Sequence, residues 1–122
     1  MSNIVRPTPE FKRDLKPLLK KYRTLKKAII ALEDSLIKDP YIGELYGHGI
    51  YKVRVSDTSK GKGKSGGFRV MYYHLNKTND GIEMLLLNIF DKSELSTIKK
   101  ANAVKRLTAI LKEYEIIKSQ SE

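Results

Sequence analysis

The chain contains no cysteine, which excludes disulfides and thiolate metal sites. Its two histidines, His48 and His74, stand apart in the sequence and do not suggest a zinc site. No apolar run approaches the roughly 20 residues that a membrane-spanning helix needs. The N-terminal stretch MSNIVRPTPE also lacks the apolar core of a signal peptide. These absences lead to the expectation of a cytoplasmic protein without cofactor, metal or membrane partner. Acid is scarce as well: 14 Asp and Glu stand against 24 Lys and Arg, giving a formal net charge of +10. Such an excess points to a polyanionic partner, either nucleic acid or an acidic protein.

With 122 residues, 40% of them hydrophobic, the chain is read as a single folded domain, 1–122, large enough to bury a core. Ile4 and Val5 suggest a short first strand. Thr8 offers an N-cap, with Pro9 at the first helical position and Glu10 in the first turn. Phe11, Leu15, Leu18, Leu19 and Tyr22 then recur at helical spacing on a lysine-rich helix, with a kink or irregular turn expected at Pro17. Thr24 starts a second helix whose inward stripe is Leu25, Ala28, Ile29, Leu32 and Leu36, ended by Asp39-Pro40. Residues 41–49 read as turns. Strands are expected at about 50–56 and 67–75, with a turn from Asn76 to Gly81 and a third strand from Ile82 to Phe90. That third strand is apolar on both faces, with Leu85, Leu87 and Ile89 on one and Met84 and Leu86 on the other, so it is placed centrally. A last helix spans about Leu95 to Lys118. The order describes an α+β domain: an N-terminal strand and helical hairpin, a three-stranded antiparallel meander, and a C-terminal helix.

Charge concentrates in the segment from Tyr51 to Tyr73, YKVRVSDTSKGKGKSGGFRVMYY, where Lys52, Arg54, Lys60, Lys62, Lys64 and Arg69 face the single acid Asp57. Strand alternation puts Tyr51, Val53 and Val55 on one face, and likewise Phe68, Val70 and Tyr72. If those faces meet the helices, Lys52, Arg54 and Arg69 share the open face, beside a loop of lysines and glycines. Like charges so placed repel one another, which favours phosphate contact over a purely structural role; the alternative is pairing with Glu44 or Asp91.

The loop KGKGKSGG is not a nucleotide-binding P-loop. That motif would need glycine where Thr58 stands and a helix after the loop. The loop is either a solvated hairpin or a basic clamp on nucleic acid, through Lys60, Lys62 and Lys64. His74 falls on the packed face and reads as structural, while His48 lies between two glycines in a turn. Asp91 and Lys92 end the third strand, where they could act from a rigid base, or where Asp91 or Ser93 could cap the last helix. Tyr72 reads as core. Tyr73 is open to packing or to stacking on a base.

Together YKVRV, GKSGGFRVMYY, LLLNIFDKSE and the closing helix resemble the RelE/ParE superfamily of bacterial toxins, closest to the HigB-like branch. The likeness extends upstream to IVRPTPEFKRDLKPLLKKY and so covers most of the chain. It implies a toxin of a type II toxin–antitoxin system, neutralised by a cognate antitoxin protein. In most branches the activity it implies is ribosome-dependent endoribonuclease cleavage of mRNA. Carried over, the family's basic catalytic positions fall on Lys52, Arg54 and Arg69, and the cation after the third strand on Lys92, with Asp91 beside it. The tyrosine that some members use falls on Ile98, a departure from the pattern.

The implied chemistry suits these residues. An RNA 2′-hydroxyl can attack its own adjacent phosphorus without metal or protein nucleophile, provided the reacting atoms are aligned and the added negative charge is stabilised. Arginines do the latter without titrating. A lysine crowded by cations can serve as base near neutral pH, with Lys52 the first choice and Lys92 the second, as leaving-group acid or phosphate clamp. The lysines and arginine of the first two helices (Lys12, Arg13, Lys16, Lys20, Lys21, Lys26, Lys27) would dock on ribosomal RNA, or form an ordinary solvated face. Two rival readings stand beside this one: a ParE-like DNA gyrase poison without nuclease activity, and a non-enzymatic RNA- or ribosome-binding domain.

Overall fold

The structure is a computed structural model and describes residues 2–47, 49–55, 67–91 and 104–113. Its elements are β1 (Ile4–Pro7), α1 (Pro9–Lys21), α2 (Leu25–Lys38), β2 (Glu44–Gly47), β3 (Ile50–Val55), β4 (Phe68–Thr78) and β5 (Gly81–Asp91). Residues 104–113 form a further helix, α3. One five-stranded sheet has the order β1-β5-β4-β3-β2. The expected meander is β3-β4-β5, antiparallel throughout, while β1 adds parallel to β5 and β2 adds antiparallel to β3. The third strand of the meander is internal as expected, flanked by β1 and β4.

The entry into α1 follows from its sequence. Thr8 is fully buried, and its hydroxyl accepts from the Phe11 backbone N–H at 3.1 Å while donating to the Leu86 carbonyl at 2.7 Å. One side chain therefore caps the helix and ties it to β5. Glu10 in the first turn and Lys20 and Lys21 in the last complement the helix dipole. Pro17 lies inside α1, which continues as one helix to Lys21; burial of the stripe on both sides offsets the single lost backbone donor.

Two cores sandwich the sheet. On one face Phe11 of α1 and Leu25, Ile29, Leu32 and Leu36 of α2 meet Val55, Phe68, Val70, Tyr72, Met84, Leu86 and Ile89. On the other, Leu107 and Ile110 of α3 cover Ile50, Met71, Leu85, Leu87 and Phe90. The face expected to be open is thus partly closed, because it carries too much apolar surface to be left in water.

Two features depart from the sequence reading. Residues 44–47, taken as turn, form the edge strand β2, with Glu44 opposite Lys52 and Leu45 opposite Tyr51. The chain can turn tightly into it because Gly43 leaves room for Tyr72: a Cβ at Gly43 would lie 2.8 Å from the tyrosine ring and its oxygen. The Tyr72 hydroxyl accepts from the Gly43 N–H and donates to the Pro40 carbonyl, both at 3.0 Å. The second departure lies in β5. Its pairing with β4 shifts between Met71 and Tyr72, whose partners are Asn88 and Leu86, leaving Leu87 as an extra residue. Beyond this bulge the alternation inverts, so Ile89 joins Met84 and Leu86 instead of Leu85 and Leu87.

Replacing Thr8 by Ala removes the cap and leaves buried backbone groups at Phe11 and Leu86 without this partner. We expect Thr8→Ala to lose about 1–3 kcal/mol of unfolding free energy in urea titration; a loss within measurement error would show that Thr8 does not join α1 to the sheet.

Candidate nucleic-acid interface

The strand register assembles the cationic group. Arg54 of β3 stands directly opposite Arg69 of β4, and Lys52 stands opposite Met71. Met71 belongs to the α3-side core, so alternation puts Lys52, Arg54 and Arg69 all on that face. Each has a different exposure. Arg54 is exposed, Lys52 is half-buried, and Arg69 retains only 6% of its surface. Lys52 holds its Nζ 4.9 Å from the centre of the Tyr46 ring, a cation–π contact with the edge strand.

Arg69 donates from Nη1 to the Phe68 carbonyl at 3.2 Å, leaving most of its five donors for other partners. Desolvation lowers its pKa from the usual arginine value, and the neighbouring Arg54 charge lowers it further. A guanidinium so placed still carries its charge at neutral pH. Among the described residues, none of the three cations forms an ion pair. Glu44, although opposite Lys52 in register, makes none. Removing one charge of an opposed like pair would ordinarily help a sheet, by about 0.2–1 kcal/mol.

Asp91 is not part of this group. It pairs with Phe68, one step out of phase with the Arg69–Phe90 pair, so its side chain leaves the opposite face. There it is buried and accepts from the Tyr22 hydroxyl at 3.0 Å, while the Tyr22 ring meets Phe68 edge-on at 5.1 Å. Asp91, expected in the catalytic group beside Lys92, thus leaves the face that carries Lys52, Arg54 and Arg69, because the bulge inverts the strand before it. Lys60, Lys62, Lys64, Lys92, Ile98 and His48 lie outside the described residues, as do most of the basic loop and both ends of the expected last helix.

Tyr73 shares the cationic face, between Ile50 and Leu85. It is half-buried in the α3-side core, and its ring lies 3.0 Å from where a Cβ of Gly49 would stand, so packing is its first role. Gly49 has φ of +78°, which also favours glycine.

Two residues that the sequence reading did not single out bear on this face. Asn88 is buried, with 4% of its surface exposed, and its Oδ1 has no hydrogen-bond partner among the described residues. The polar residue within LLLNIF was the available signal. Arg106 of α3 donates from Nη1 to Asp14 of α1 at 2.6 Å and to the Leu87 carbonyl at 3.2 Å.

His74 is structural, as expected. Its Nε2 bonds the Pro40 carbonyl at 2.8 Å, its ring stacks on Tyr51 at 4.6 Å, and Tyr41 meets it edge-on at 4.8 Å. Nδ1 is buried without a partner among the described residues, which offer no acceptor for a second ring proton. Among the described residues no group of three His, Cys, Asp or Glu could hold a metal ion, and no helix is long and apolar enough to cross a membrane.

The arrangement is that of a RelE-like α+β fold. A solved structure of E. coli toxin RelE in the free state, in a form with two arginines replaced by alanine, superposes with a TM-score of 0.55. The two sequences are 18% identical over 87% of this chain and 98% of RelE. No protein-family model matches the chain.

Burial lowers the His74 pKa below its ordinary value; the Lys77 charge acts in the same direction, and the Pro40 hydrogen bond opposes it. The unfolded chain then binds the proton more readily, so the stability contributed by neutral His74 is complete above about pH 6.5 and declines as pH falls towards the depressed folded value. Urea titrations at pH 7.5 and 5.5 should show a larger loss on acidification for the wild type than for His74→Gln. Equal losses would remove His74 from the pH dependence.

Proposed function

We propose that this protein is a toxin of a type II toxin–antitoxin system, acting as a ribosome-dependent mRNA endoribonuclease of HigB-like character. The observation that carries the reading is the direct opposition of Arg54 and Arg69, with Lys52 two residues away and no acid paired to any of them among the described residues. A fold gains nothing from such a cluster, whereas a phosphodiester supplies the missing negative charge. Coming from two strands of one sheet, the cations keep a fixed spacing, as transition-state stabilisation requires.

In the proposed reaction the RNA 2′-hydroxyl gives up its proton to Lys52 as general base and attacks the adjacent phosphorus. Arg69, deepest and least hydrated, contacts a non-bridging oxygen as the phosphorus becomes pentacovalent, and exposed Arg54 holds the neighbouring phosphate. The P–O5′ bond breaks, and the 5′ oxygen takes up a proton from Lys92 or water. The products are a 2′,3′-cyclic phosphate and a 5′-hydroxyl. Asp91 takes no part, since it bonds Tyr22 across the sheet. Lys60, Lys62 and Lys64 would track the RNA backbone, and the basic residues of α1 and α2 would dock on ribosomal RNA. The cognate antitoxin is the protein partner, and the site of action is cytoplasmic.

The test is cleavage of a defined mRNA by purified protein with and without ribosomes. Wild type should cut only on ribosomes, and Arg69→Ala should lose at least about 100-fold in rate, the scale set by removing one transition-state donor. Full cleavage by Arg69→Ala would refute the site. Absence of any wild-type cleavage, with double-strand breaks in a reporter plasmid, would favour gyrase poisoning.

A further inference from the structure

Asn88 lies in the same cross-strand row as Lys52, through Met71, and one row from Arg54, Arg69 and Phe90. It is thus the diagonal neighbour of Arg69, a relation in which residues stand about 7–8 Å apart with their Cβ atoms somewhat closer, within reach of a long side chain. Without the bulge at Leu87, strict alternation would turn Asn88 towards α2 and put Ile89 on the cationic face. The bulge is held in place: the Leu87 carbonyl accepts from Arg106, which is anchored in turn by Asp14. A buried amide oxygen without a partner costs about 1–3 kcal/mol. A leucine in its place would avoid that cost. The acceptor therefore costs stability where it stands, beside a guanidinium with one described hydrogen bond.

We propose that Asn88 is a positioning residue for Arg69: its Oδ1 accepts a guanidinium N–H when Arg69 turns from the Phe68 carbonyl to a phosphate of bound RNA. An arginine offers its donors in a planar fork. With one edge held by Asn88, the other is aimed at the phosphate oxygens, and the plane is fixed by a side chain on a third position of the sheet. This rests on the reading of Arg69 as a phosphate-contacting residue.

The variant that separates this from a packing role is Asn88→Leu. Removal of the orphan acceptor should leave Tm unchanged or raised, while ribosome-dependent cleavage falls about tenfold or more in kcat/KM. In an Arg69→Lys background, which abolishes the planar fork, Asn88→Leu should cause little further loss. Binding of a 2′-O-methyl oligoribonucleotide, which cannot be cleaved, gives a second readout that does not need catalysis. Affinity should drop on Asn88→Leu in wild type and stay constant in Arg69→Lys.

Full cleavage and binding by Asn88→Leu, with Arg69→Ala inactive, would overturn this inference and leave the nuclease reading standing. Equal losses from Asn88→Leu in both backgrounds would also overturn it, since its effect would not pass through Arg69. Wild-type protein that neither cleaves nor binds would overturn both.

Discussion

One extra residue in β5, opposite Met71 and Tyr72, decides where every side chain beyond it points. A one-residue shift exchanges the two faces of a strand, so Leu87 sets the direction of Asn88, Ile89, Phe90 and Asp91 together. With it, Ile89 fills the core under α1 and α2, Phe90 meets α3, and Asp91 reaches Tyr22. Without it, an aspartate would stand on the same face as Arg54 and Arg69 and neutralise them. The bulge keeps the acid away from the cations. Arg106 and Asp14 hold that bulge, so α1 and α3 both act on the charge pattern of a face that neither supplies.

That face carries a conflict between stability and use. A sheet with two arginines opposed, one nearly dehydrated, is less stable than the same sheet with apolar side chains there. Asn88 adds a buried acceptor without a donor. Such departures from local consistency concentrate where a protein binds or reacts. The rest of the fold shows few of them: Thr8 caps and bridges, Tyr72 satisfies the turn before β2, and both cores are continuous. Among the described residues the opposed arginines and Asn88 share the sheet face that α3 covers in part, while Glu10 Oε1 and His74 Nδ1 are buried polar atoms without a partner elsewhere.

Much of this was legible in the sequence, where local chemistry and periodicity agree. Thr8-Pro9-Glu10 marked the helix start, the stripes of α1 and α2 named the residues that meet the sheet, and alternation in β3 and β4 placed the three cations on one face. What escaped has a physical cause in each case. β2 is four residues long and draws its definition from pairing with β3 and from Tyr72, not from its own composition. The bulge leaves no mark in a run of Leu, Leu, Asn and Ile, since either register buries apolar groups. Alternation without it groups Asp91 with cations that lie on the far side of the sheet and gives Asn88 no place beside them. The partial closure by α3 follows from Met71, Tyr73, Leu85 and Phe90 taken together, a sum that no single strand displays.

In the proposed function Arg69, Arg54 and Lys52 promote attack by the RNA's own 2′-hydroxyl. Its most direct measurement is the chemistry of the cut ends on an mRNA cleaved by the purified protein. The expected ends are a 2′,3′-cyclic phosphate on one fragment and a 5′-hydroxyl on the other, with no cut where the scissile nucleotide is 2′-deoxy. A 5′-phosphate product, or cleavage that persists at the deoxy position, would mean that water or another nucleophile attacks and would contradict it.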